Sequence, residues 1–173
     1  MESKRASFEG ALEALGVTVS STLESELEAA VTEAVTEPAV GVGLDGPVGD
    51  EAFALTETPV TVDPTPVALR EAVTGVTGAE LGIGDYGSLV LTMTEQASEL
   101  VSLFVERHVA ILHEKDIQPD MDAAVAELDE RFAETNGSAI IATGPSATAD
   151  MGALVKGAHG PEEVHVIIVE EGA

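Results

Sequence analysis

Glycine, proline, serine and threonine crowd into one short loop of this chain, Gly144-Pro145-Ser146-Ala147-Thr148, which runs on to Asp150. Glycine permits turns that point successive N–H groups into one hollow, and the two hydroxyls add further donors. A carboxylate, a phosphate or an acyl carbonyl is the kind of group such a loop holds. A local reading stands beside it: Ser146 or Thr148 caps a short helix beginning near Asp150, whose charge suits a helix N-terminus. One loop can do both. The glycine, lysine and hydroxyl spacing of a P-loop is absent.

A second tight turn, Lys156-Gly157-Ala158-His159-Gly160-Pro161, follows at once. Histidine titrates near neutrality, so His159 is placed to pass a proton or to sense an anion, or simply to bond backbone carbonyls and fix the turn. Asp85 sits in a glycine turn, Gly84-Asp85-Tyr86-Gly87. Beside the Ser146 loop its carboxylate would serve as base or nucleophile; alone in a tight turn it makes local hydrogen bonds. His108, His113 and His165 lie in apolar runs and read as core or edge residues. No third ligand is spaced with His159 and His165, so no metal site is expected.

The elements that must position these groups alternate. A short amphipathic helix spans 8–15, and 17–22 leads into a helix from Leu23 to Val35 that Pro38 limits, with residues 20–22 as its cap region. From Ala39 the chain turns to short β-like runs at 40–44 and 59–62, then a helix opened by Pro64-Thr65-Pro66 and running through Arg70 and Val73. Strands are expected at 79–83, 88–93 and 108–113, with 100–105 before the last of these, and a clear helix from about 120 to 135 ends at Asn136-Gly137. Ala139-Ile140-Ile141 feeds the Ser146 loop, and the chain finishes on a strand at 164–169. Such alternation with apolar strands predicts an α/β fold with a mostly parallel sheet covered on both faces. One domain is expected over 1–173, with a helical segment at 1–38 and the sheet core at 39–173.

Charge bounds the partners. Thirty-two Asp and Glu against 7 Lys and Arg give a formal net charge of −25, spread along the chain. Such charge repels itself until salt screens it, which predicts a cytoplasm of high salt concentration. With 45% of residues apolar, disorder is disfavoured. Nucleic acid is excluded for want of clustered basic residues, and membrane insertion for want of a run of about 20 apolar residues. The N-terminal Met1-Glu2-Ser3-Lys4-Arg5 lacks an apolar signal core, so the expected location is cytoplasmic. Without cysteine the chain offers no disulfide, no thiolate zinc site and no four-thiolate iron–sulfur cluster. No cofactor of its own is expected.

The order Gly144, Ser146, Thr148, Ala149, Asp150, then Gly157, His159, Gly160, Pro161, then an apolar strand, resembles the LUD (lactate utilisation) domain family, also called LutC/YkgG-like. The segment 81–91 looks like the counterpart of that family's upstream motif. The resemblance runs from about 76 to 169; over 1–75 only the order of elements is similar. It implies the doubly wound, mostly parallel sheet architecture of the NagB/RpiA/CoA transferase-like group, with a substrate crevice at the strand ends. It also implies a cofactor-free subunit whose partners carry iron–sulfur clusters in lactate oxidation.

This chain departs from the family pattern at several positions. Ala147 stands where family members often carry Lys or Arg, Met151-Gly152 replaces Ile-Glu, Asp85-Tyr86 replaces Glu-Thr, and Val105-Glu106 stands where a proline is often seen. An anionic substrate would then need Lys156 or Arg107. The candidate ligand-binding set is Gly144, Ser146, Thr148, Asp150 and Lys156, and the candidate catalytic pair is Asp85 and His159. Three functions compete: the lactate-oxidation subunit, a free-standing enzyme acting on acyl or sugar-phosphate compounds, and a non-catalytic regulatory or scaffolding domain.

Overall fold

The computed structural model describes residues 3–44, 55–93, 98–133, 137–150, 152–157 and 159–171; the side chains of 149, 150, 153, 155 and 156 lie outside that description. Its strands are β1 (Thr18–Leu23), β2 (Ala39–Gly41), β3 (Val60–Val62), β4 (Thr74–Gly78), β5 (Leu81–Ile83), β6 (Ser88–Thr92), β7 (Arg107–His113), β8 (Ile117–Gln118), β9 (Ala139–Thr143), β10 (Ala147–Asp150), β11 (Ala153–Lys156) and β12 (Glu163–Glu170). Its α-helices are α1 (Lys4–Ala14), α2 (Leu27–Ala34), α3 (Pro66–Glu71), α4 (Ser98–Leu103) and α5 (Met121–Phe132).

Six strands form the main sheet in the order β1-β12-β7-β4-β2-β3, and every neighbouring pair is parallel. This is the α/β architecture with a mostly parallel sheet that the alternating pattern predicts. Parallel strands buried on both faces read as near-continuous apolar runs, as β7 and β12 do. Their side chains alternate between two cores. Val109, Ile111, Ile167 and Val169 pack on one face beneath Leu27, Val31 and Ala34 of α2. Ala110, Leu112, Val166 and Ile168 pack on the other beneath Phe8 and Leu12 of α1.

A second sheet, in the order β8-β5-β6-β9, covers that other face; β6 runs antiparallel to both β5 and β9. Leu89 and Leu91 of β6 point down into the shared core, while Leu81, Ile83 and Val90 point out toward α5. The layers are therefore α2, main sheet, α1 with the second sheet, and α5. Arg5 on α1 pairs with Glu9 of its own helix and ties that helix to Glu170 of β12 and to Glu114 just after β7.

Three local expectations are corrected. Residues 18–23, read as an approach and cap to a helix, form the edge strand β1, paired in register with β12; the β-branched Thr18, Val19 and Thr22 favour extended backbone, and α2 starts only at Leu27. Strand β4 occupies residues expected at a helix end or a link, with Thr74 and Val76 buried at the centre of the main sheet. The short helix expected near Asp150 is instead a hairpin, β10 against β11, with Asp150 opposite Ala153. Gly152 at φ 81° supplies the left-handed backbone that a two-residue hairpin turn demands, which a helix would not use.

Candidate functional site

The core between the two sheets is incompletely filled at one end. There, beside the amino-terminal ends of β7 and β12, lies a cavity of about 350 Å³. Its floor is His108 of β7 and Val164 of β12, which stand opposite each other in the parallel register. Leu89 and Leu91 of β6 with Ile140 and Ala142 of β9 form one wall, and Ser102 and Leu103 of α4 form another. Helix α4 lies this low because β4 carries Gly75: a Cβ there would stand 2.1 Å from the Val101 carbonyl oxygen.

The rim is the serine-rich loop and the histidine turn, joined through one residue. The Ser146 N–H donates to the Pro161 carbonyl at 2.8 Å, and the Gly157 N–H donates to the Ser146 carbonyl at 2.9 Å. The Ser146 hydroxyl accepts from the His159 N–H at 3.2 Å. Accepting one bond leaves that hydroxyl its own proton to donate. Gly144, with φ 66°, turns the chain at the head of this loop.

Of the residues singled out in the sequence, Gly144, Ser146 and His159 come together on this cavity. Thr148 lies in β10 outside the lining, and without a helix behind it neither Thr148 nor Ser146 is a helix cap. Asp150 and Lys156 hold backbone places in the hairpin, and their side chains fall outside the described residues. Asp85 is exposed in its turn and is not among the lining residues; from that turn only Gly87 reaches the cavity. Arg107 is engaged elsewhere, 2.6 Å from Glu163 and donating to the Ala34 carbonyl at 3.1 Å. It lines a separate polar hollow with Thr18 and Glu162.

His108 reads from the sequence as a core residue, and it is one, 2% exposed; it also forms the cavity floor. Its Nε2 is 2.8 Å from Thr77 Oγ1. Burial pushes its pKa down to about 4, so it is neutral near pH 7. A histidine inside an otherwise aliphatic strand was the signal available for it. Ser102 carried none, because its place on α4 over the cavity depends on Gly75 two elements away. His165 is half-buried beside Ser20 Oγ at 2.8 Å, and burial together with Arg107 lowers its pKa. Among the described residues no three His, Asp or Glu side chains cluster as metal ligands, and no helix is long and apolar enough to cross a membrane.

Residues 65–169 match the LUD domain family. The chain belongs to the LUD domain family. That stretch contains every residue lining the cavity except Leu12 and Val17 of the N-terminal region. The LUD chain is 34% identical over 108 residues to Lactate utilization protein C of Bacillus licheniformis, a match covering 59% of this chain and 44% of that relative. It is 31% identical over 108 residues to the Bacillus subtilis protein of the same name, with the same coverage, and 32% identical over 106 residues to YkgG of Escherichia coli, covering 59% of this chain and 46% of that one. The match thus spans less than half the length of these relatives. A crystal structure of a DUF162 family protein from Deinococcus radiodurans superposes with a TM-score of 0.72 over 98% of this chain and 99% of that one at 18% identity, which establishes the shared fold.

Proposed function

We propose that this LUD protein is a cofactor-free subunit of a lactate, or more broadly 2-hydroxy acid, oxidation system whose partner subunits carry iron–sulfur clusters. The observation that carries this reading is the family match over 65–169, shared with relatives named for lactate utilization. The chain's own chemistry is compatible with that division of labour: it has no cysteine with which to hold a cluster by thiolates. Its net charge of −25 supports a working environment of high salt, in which such a surface is screened.

The test is a tagged pull-down from the host at its own salt concentration, with mass spectrometry and visible absorbance of the eluate. Brown, cysteine-rich partners in stoichiometric amount are the expected result. A colourless protein eluting alone, together with undiminished growth of a deletion strain on lactate, would sink this role. A second reading, a non-catalytic regulatory or scaffolding domain, draws support from one observation. Asp85 and His159, the pair that would share acid and base work, are not on one cavity. Proton transfer by such a pair needs hydrogen-bond reach.

A further inference from the structure

The cavity differs in charge from the molecule that contains it. In a chain of net charge −25, none of its described lining residues is Asp, Glu, Lys or Arg. Leu12, Val17, Leu89, Leu91 and Val164 belong to the core between the sheets and give the cavity its apolar body. Its polar side chains are few: the hydroxyls of Ser102 and Ser146 and the two histidines. On the far side of His159, Gly160 and Leu103 lies an outer hollow of about 410 Å³ that these three residues also line, together with Phe104, Glu106 and Glu162. His159 therefore stands where the apolar interior meets the outside, with Ser146 beside it on the cavity rim.

We propose that the cavity binds an uncharged, largely apolar organic molecule carrying one carbonyl or hydroxyl oxygen, which sits at Ser146 and His159 while the apolar body fills the space above His108 and Val164. This goes beyond the subunit role and does not depend on it.

Size and charge each argue against the small hydroxy acid itself as the occupant. A cavity of ~150 Å³ lined by aliphatic side chains accepts benzene, and lactate has as many heavy atoms as benzene. It would leave most of the 350 Å³ here empty. A carboxylate entering this space loses its hydration, finds no cationic side chain among the described lining residues, and does so against the field of an acidic protein. The anion suggested by the loop's N–H groups loses a further partner, because the Ser146 N–H is already committed to the Pro161 carbonyl. His108 adds no charge, being neutral. A ligand with one oxygen and a ring-sized hydrocarbon body meets none of these costs, and the Ser146 hydroxyl has its proton to give to that oxygen.

A matched pair of probes separates charge from shape: 2-naphthol and 2-naphthoate share a skeleton and differ in the carboxylate. Calorimetric titration of the full chain in molar potassium chloride should show saturable binding of 2-naphthol, about tenfold or more tighter than 2-naphthoate, with lactate and pyruvate failing to compete. Ala142→Leu, which fills the wall, should weaken 2-naphthol about tenfold. Leu103→Trp, at a partly exposed position on the mouth, should do the same if Ala142→Leu does not fold. Equal or tighter binding of 2-naphthoate, displacement by lactate, absence of binding by either probe, or wild-type affinity in a folded blocking variant would each overturn the proposal. Growth on lactate is blind to this result. Naphthol binding alongside full growth of the deletion strain would leave the ligand class standing and remove the subunit role.

Discussion

The two faces of the main sheet are built from the same two strands and end differently. On the α2 face, Val109, Ile111, Ile167 and Val169 are fully buried against a helix. On the other face, the same strands reach a second sheet, and toward their amino ends the two sheets leave the 350 Å³ cavity unfilled. One helix can close down on a sheet until its side chains interdigitate. A second sheet, held at its other edge by α5 and α1, cannot collapse everywhere at once, so a gap persists beneath β6 and β9. The difference teaches that this cavity is a consequence of layering, and that its rim was then furnished with Ser146 and His159.

Substitutions that shorten side chains on each face test that contrast most strongly. Ile167→Ala, fully buried beneath α2, should cost about 4 kcal/mol in chemical denaturation, because it removes a side chain packed on all sides. Leu91→Ala, on the cavity wall, should cost about 2 kcal/mol, since that side chain already lacks partners on one side. Equal losses would break the comparison. Gly75→Ala comes next. Its Cβ would meet the Val101 carbonyl oxygen at 2.1 Å, so α4 must move off the sheet, with an expected loss of about 3 kcal/mol and a larger cavity.

His108 sharpens the comparison through pH. Its folded pKa of about 4 lies below the ordinary value of 6.5, so between those values the unfolded chain binds more protons than the folded one. Stability from this group is present above pH 6.5 and falls away as pH drops toward 4. Between pH 7 and pH 5 the loss should be about 2 kcal/mol, and the His108→Gln variant should lose that much less over the same interval. Carboxylates titrate in both proteins, and the difference between the two denaturation series isolates the histidine. The smallest effect is at the rim: Ser146→Ala removes the acceptor for the His159 N–H and should cost about 1 kcal/mol, with fold and sheet stability otherwise unchanged.

Much of the fold was legible because its strands announce themselves. The apolar runs at 108–113 and 164–169 are buried on both faces, and a segment buried on both faces carries no alternation to obscure it. Strand β1 was misread since it lies at the sheet edge, where only Thr22 of its six residues is buried and the polar Ser20 and Ser21 look like a cap. The β10–β11 hairpin was misread because Ala149-Asp150 suits a helix start as well as a strand end, and the arbiter is the backbone sign at Gly152. At the site, Gly144, Ser146 and His159 were legible as loop chemistry. The apolar walls they border were not.

What the sequence by itself determined is therefore local or summed: alternating elements of an α/β fold, a family motif, a charge of −25, and a loop that presents hydroxyls and a histidine. The tertiary structure alone decided which of these meet. It set Ser146 against the 157–161 turn, left Asp85 on an exposed turn away from them, tied Arg107 to Glu163, and placed the long-buried His108 beneath the same opening. The physical reason is that a cavity is a property of how two sheets and a helix fail to fill space between them. That failure depends on volumes contributed from Leu12 to Val164, and no window of sequence contains them all.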